Sequence, residues 1–332
     1  MKSSRLLEFD VLRVAAMLYV VGFFHLSPYF PPLRGIAKIP IFNTLTCVAL
    51  GAFVFISAYL LASRSAVDSW NDVKTFLNRR FWRVYPLFFL TLVAFLLRSS
   101  ISLAQFVGGA LLLTMLTGRT IQTLWFVTML FLFYLLTPLY LWKGSLRKTA
   151  LLTFILACFF IAVEAIIGRI DLRLPMYLLI FGLGIATAQE PRLWASFFNK
   201  GLISAGAVIF ALISYFVLGN KTQSHPKDAA EIVAIVLAII SLLPFLLAVS
   251  RVAAQFIPKT LLLALSYGSF AMYLLHRLTY RPLLNLYEPQ TVPLMLLYAA
   301  FVMIPVTFLL AFWVQKLYDA ALTRFFPTPK AS

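Results

Sequence analysis

The stretch Phe9-Asp-Val-Leu-Arg13-Val-Ala-Ala-Met17-Leu-Tyr-Val-Val21-Gly-Phe-Phe-His25-Leu26 holds 18 residues, and its only acidic, basic or imidazole side chains are Asp10, Arg13 and His25. A helix rises 1.5 Å per residue, so crossing a hydrocarbon core takes about 20 mostly apolar residues. The stretch therefore reads as a membrane helix. It carries a guanidinium near one end and an imidazole 12 residues later, about 18 Å further along. Lys2 and Arg5 precede it as in a signal peptide, but Glu8 and Asp10 border the apolar run and no small-x-small site follows cleanly. A retained first helix is expected.

Nine further runs follow: 41–62, 84–97, 122–142, 149–167, 174–188, 202–218, 232–249, 261–283 and 293–315. The third and sixth of the ten runs are short and are expected to extend into their flanks. Composition agrees. Hydrophobic residues make up 62% of the 332 positions and charged residues 12%, too few charges for a water-facing surface. The expected fold is an all-α integral membrane protein of about ten crossings, forming a single transmembrane domain over 1–332. Ser102–Thr117 is apolar but holds Gly108 and Gly109. If it does not cross and the N-terminus is cytoplasmic, 17 Lys and Arg lie inside and 10 outside; if it crosses, the tally is 14 to 13. The positive-inside bias survives only in the first case. Both termini are thus expected in the cytoplasm, with Ser102–Thr117 re-entrant or interfacial.

The net charge of +17 would point a soluble protein toward nucleic acid. Here the basic residues sit in short loops between apolar runs, which favours topology signals, membrane lipid and phosphate groups instead. Cys47 and Cys158 lie inside apolar runs, so neither a disulfide framework nor a metal site is expected.

Ionisable groups within membrane helices are costly and point to function. Arg13 and His25 are the first such pair; an imidazole takes up a proton near neutral pH, although a snorkelling arginine and an interfacial histidine would look alike. The second cluster is Phe76-Leu-Asn-Arg79-Arg80-Phe-Trp-Arg83-Val-Tyr85-Pro86. Arg79 and Arg83 share a helix face, and guanidinium forks hold phosphate; an ordinary positive-inside cluster is the competing reading. Glu164 stands inside the fifth run, either as a partner for Arg169 or as a group orienting substrate. His276 is a further imidazole in the ninth run.

Taken together, these segments resemble the acyltransferase family 3 integral membrane proteins. Asp10-Val-Leu-Arg13-Val-Ala-Ala16 with His25 is similar to that family's first-helix signature. Phe53-Val-Phe-Ile-Ser57-Ala-Tyr-Leu-Leu61 resembles FFxxSGFLL. Arg79-Arg80 through Arg83-Val-Tyr85-Pro86 resembles RRxxRxYP. Leu124-Trp125-Phe126 with Phe133-Tyr134 resembles an LW…FY segment, and Ser269-Phe-Ala-Met-Tyr273-Leu-Leu-His276 resembles SxxxYLxH. The motifs follow the family's order across most of the chain. The resemblance implies transfer of an acyl group, usually acetyl, from cytoplasmic acyl-CoA to a hydroxyl of a glycan, lipid-linked saccharide or other small acceptor, in a bacterial inner membrane. It assigns catalytic roles to His25 and Arg13.

On that reading Arg79, Arg80, Arg83 and Tyr85 hold the donor, with Arg13 assisting on its phosphates. Acyl-CoA (acetyl-CoA) enters as a substrate, and no permanently bound cofactor is expected. His25 acts as general base or forms an acyl-enzyme through its nitrogen. Trp125, Glu164, Tyr273 and His276 are the candidates for orienting the acceptor. Basic residues expected outside, Arg34, Lys38, Lys221 and Lys227, hint at an anionic acceptor. A transporter or flippase of a small anionic or lipid-linked substrate is the competing class, but the paired broken helices it calls for are not visible.

Three positions depart from the family. Its arginine and histidine are commonly 11 apart, which leaves them within about 20° on a helix; 12 residues open that to about 120°. A π-bulge around Val21–Phe24, next to Gly22, would absorb the extra residue and is expected. Thr128, Met129 and Leu130 stand where some relatives have a glutamate. Ala58 replaces a common glycine.

Overall fold

The computed structural model describes residues 5–65, 67–219 and 225–325, and among them there are helices and no strands. Lys2, Lys221 and Lys330, used in the charge tally, lie outside the described residues. Among the described residues eight helical segments are long and apolar enough to cross a membrane. They contain α1 (Leu7–Tyr19), α2 (Pro40–Arg64), α3 (Trp70–Leu97), α6 (Leu146–Ile167), α8 (Lys200–Leu212), α9 (Ala229–Ala253), α10 (Lys259–Leu286), and α11 with α12 (Val292–Tyr298, Ile304–Phe325). Two 17-residue helices, α5 (Trp125–Leu141) and α7 (Arg173–Gln189), occupy the fourth and sixth expected crossings. At about 26 Å each they lie at the short end of the spanning range. The protein is an all-α, multi-pass integral membrane protein.

The third run extends into its flank as expected. α3 begins at Trp70, where the Ser69 hydroxyl accepts the Asp72 amide and the Asp72 carboxylate accepts the Ser69 amide, a reciprocal cap. The sixth gains only a residue at each end. Glu190 takes an extended conformation ahead of Pro191, because a residue preceding proline avoids the helical region. α7 is instead central: 13 of its 17 residues are buried, which suits a helix apolar all round. α6, its neighbour, buries three and turns Leu151, Phe154, Ile155 and Phe159 outward, where lipid tails solvate them. Cys47 and Cys158 are free thiols.

Helix association in lipid depends on close backbone approach at small residues. At the α2–α7 crossing, a Cβ added to Gly184 would sit 2.6 Å from the Phe55 carbonyl oxygen and 2.7 Å from the Ala58 Cβ. Gly184 thus makes room for the methyl of Ala58, the alanine standing in for a glycine.

Ser102–Thr117 forms no helix of spanning length. Its helix, α4 (Leu103–Ala110), has eight residues, about 12 Å. It opens on a Ser102–Gln105 capping box and packs Gly109 against Leu92 and Ile121. The Tyr85 hydroxyl ties its end to α3 by donating to the Ala110 carbonyl at 2.7 Å.

The expected widening of the first helix is present. Val20–Phe24 is a π-helical turn, and the His25 amide donates to Val20, five residues back, at 2.8 Å. The extra residue between Arg13 and His25 is taken up there. In a regular helix that amide would bond Val21. The Val21 carbonyl instead accepts the Tyr280 hydroxyl of α10 at 2.9 Å. Gly22 brings this turn close to Ile304 of α12: an added Cβ would meet the Ile304 Cδ1 at 2.9 Å.

Two outcomes follow from this packing. Gly184→Ala forces a methyl onto a carbonyl that cannot move alone and lowers stability by about 1–3 kcal/mol, read as a reduced melting temperature in detergent. Tyr280→Phe leaves the Val21 carbonyl unpaired in a dry interior, at a cost of about 1–3 kcal/mol; a melting temperature equal to the parent's would show that the bond contributes nothing.

Candidate active site

The first helix places a cation at one end and an imidazole at the other, and each end gathers residues from distant segments. At the N-terminal end, Asp10 is buried and accepts from the Arg5 guanidinium at 2.6 and 2.9 Å and from the Ser266 hydroxyl of α10 at 2.7 Å. Arg13 lies 3.6 Å from the same carboxylate and donates to Ser266 at 3.3 Å. Asp10 therefore fixes Arg13 from below without taking up its whole fork. Arg83 of α3 and Tyr134 of α5 lie within electrostatic range of Arg13. The Arg80 guanidinium rests over the Phe76 and Tyr134 rings, 5.5 and 5.9 Å from their centroids. Arg79 and Arg83 are exposed. Among the described residues no carboxylate pairs with Arg79, Arg80 or Arg83. This end is a concentrated positive site with spare donors. Tyr85 points elsewhere, its hydroxyl committed to Ala110 and its ring stacked on Phe81 at 4.6 Å.

At the other end, His25 and His276 stack face to face, with centroids 4.8 Å apart and planes 4° from parallel. The Nδ1 of His276 lies 2.7 Å from the Tyr273 carbonyl. A carbonyl only accepts, so Nδ1 carries the proton and Nε2 keeps a lone pair. That Nε2 is buried without a partner among the described residues, as is the Nδ1 of His25. His276 is fully enclosed, whereas His25 keeps accessible surface. Two imidazolium rings cannot share such a stack, since like charges this close in a dry site repel strongly. At most one positive charge fits.

Tyr273 closes the pocket. Its ring lies 6.2 Å from His25 and 5.6 Å from Phe126, and its hydroxyl donates to the Thr123 carbonyl at 2.5 Å. Thr123 has a φ of +68°, a strained turn held in place by this bond. The Leu124-Trp125-Phe126 and Ser269–His276 segments thus meet the first helix at one point.

The candidates for orienting an acceptor fare differently. His276 lies under His25 with no open surface, and so backs that ring. Glu164 stands in the last turn of α6, not deep in its span, and its carboxylate accepts the Ile170 amide. It staples the loop behind Gly168, and among the described residues it makes no ion pair with Arg169. Trp125 is buried beneath Arg173, whose guanidinium sits 3.6 Å above the indole.

Nothing in the sequence marks Arg173 for a task. It is 2% exposed and forms a two-pronged pair with Asp171 at 2.9 and 2.5 Å. Burial alone would raise the Asp171 carboxyl, but the Arg173 hydrogen bonds outweigh it and hold the group below the usual range. His225 lies 4.0 Å from Asp171. Burial, with the Arg173 charge, pushes its imidazole below the ordinary value despite the nearby carboxylate. The only hint in the sequence was an acid and a base two apart at the mouth of an apolar run. Asp10 was likewise quoted in a motif but given no task.

A family model described as an acyltransferase domain matches residues 6–316. No curated protein and no solved structure matches. The matched span takes in the whole of the first helix, and the chain belongs to this acyltransferase family as a membrane acyltransferase.

Proposed function

We propose that the protein moves an acetyl group from cytoplasmic acetyl-CoA to a hydroxyl of a glycan or lipid-linked saccharide at the outer face of a bacterial inner membrane. The observation that carries this reading is one helix with a guanidinium cluster at one end and a stacked imidazole pair at the other. Arg13, Arg80 and Arg83 have spare donors for the phosphates of the donor. The N-terminal end of the first helix is then cytoplasmic, in accord with the excess of basic residues on that side.

His25 is the reacting imidazole, because it alone of the pair has open surface. Its Nδ1 faces inward, so its Nε2 edge meets the substrate. There it takes the proton of the acceptor hydroxyl as the oxygen attacks the thioester carbonyl. The carbon–sulfur bond breaks, the thiolate leaves, and the proton passes from His25 to it. The products are an acetyl ester and free CoA. His276 backs the ring and holds it in place. Tyr273, tied to Thr123, fixes the wall beside it.

His25→Ala should insert and fold as the parent does but lose about 10²–10⁴-fold in kcat, read as labelled acetate transferred to acceptor in membranes. Full activity would remove His25 from the chemistry. Arg83→Ala should raise the KM for acetyl-CoA more than that for the acceptor; the reverse order would place the donor phosphates elsewhere.

A further inference from the structure

A cleft of about 610 Å³ opens at the His25 end of the protein. Its wall is drawn from four separate places: Tyr29 after the first helix, Arg98–Gln105 after α3, Thr120–Gln122 before α5, and Arg277–Asn285 at the end of α10. Among the described residues three guanidinium groups line it, Arg98, Arg277 and Arg281, and no carboxylate does. Among the described residues none of the three has an ion-pair partner. The neutral bonds they make are few. Arg98 donates to the Leu278 carbonyl at 2.9 Å and Arg277 to the Gln122 side chain at 2.7 Å. The Nε of Arg277 is buried with no partner among the described residues.

The cleft adjoins the imidazole pair. Arg277 follows His276 directly, and its charge acts on both rings. Tyr29 packs edge-on against Tyr280 at 6.0 Å, and Tyr280 against His276 at 5.6 Å. Three like charges around one cavity repel each other, and a buried donor without an acceptor is costly. Both penalties are relieved by an anion. A carboxylate or phosphate matches the guanidinium fork with paired hydrogen bonds.

We infer that this cleft is the acceptor site and that the acceptor carries an anionic group, a sugar carboxylate or phosphate, held by Arg98, Arg277 and Arg281 while its hydroxyl meets His25. This rests on the acyl-transfer reading above and names the class of its acceptor. The basic residues first suspected on this side, Arg34 and Lys38, are not in the cleft wall; the guanidinium groups that build it come from helix ends.

The test uses the purified full-length protein in phosphatidylcholine nanodiscs, so that the acceptor supplies the anion. Glucose, glucuronate and glucose 1-phosphate are compared both for direct binding and as acceptors of labelled acetate. The expected result is tighter binding of the two anionic sugars and a higher kcat/KM for them. In Arg281→Gln and Arg98→Gln the anionic-over-neutral ratio should fall about tenfold each, the scale of one charge-assisted hydrogen bond. Arg34→Gln, outside the cleft, should leave that ratio intact. Equal use of neutral and anionic sugars overturns the assignment while leaving acyl transfer standing. So does a rise in the KM for acetyl-CoA, and not for the sugar, in Arg281→Gln. Selective binding of the anionic sugars with no transfer to any acceptor would keep the cleft's specificity and sink the acyl-transfer reading instead.

Discussion

The i−5 turn at Val20–Phe24 is the constraint on which the site depends. Twelve residues separate Arg13 from His25, and a regular helix would send the two side chains about 120° apart. The wide turn spends one residue without adding a regular step, so the imidazole swings back toward α10, where His276 lies against it. Such a turn leaves a carbonyl unbonded in a dry interior. Tyr280 supplies the missing donor, and Gly22 lets α12 close over the turn. The same helix, α10, thus repairs the backbone defect and provides the ring that the defect brings into contact.

Charge is the second organising quantity. In a bilayer an ionisable group must be paired, solvated or used. The structure sorts its groups accordingly. Asp10 is fully engaged by Arg5 and Ser266, and Arg173 by Asp171 and the face of Trp125. These pairs hold elements together. The arginines of α3 and those around the cleft near α10 have no acidic partner among the described residues. They are where binding energy for phosphate or carboxylate is available.

Much of this was legible in the chain itself. Apolar runs of spanning length gave the helices, and Ser102–Thr117, which the basic-residue asymmetry set aside, holds only the short helix α4. The extra residue before His25 demanded a wide turn, because helix geometry is rigid enough for one residue to matter. What stayed hidden depends on three-dimensional pairing. Arg173 and Asp171 drew no notice because nothing in one dimension shows that the start of α7 is buried. Glu164 looked functional inside an apolar run, yet it ends its helix and caps a loop. Arg98, Arg277 and Arg281 are scattered over nearly 200 positions, and only the packing of α3 against α10 gathers them. Tyr85 belonged to a quoted motif, but six residues past Arg79 it reaches α4 and not the arginine cluster.

The central claim is that donor and acceptor approach from opposite faces and that only the acyl group passes between them at His25. Sealed vesicles with the protein in one orientation test it most directly. Acetyl-CoA labelled in the acetyl group is supplied only at the face bearing Arg79, Arg80 and Arg83, and a saccharide acceptor is trapped on the other side. Label esterified to the trapped acceptor, with all CoA recovered on the donor side, is the predicted result. Intact acetyl-CoA or unmodified saccharide crossing the membrane, or transfer only when both substrates share one face, would contradict it.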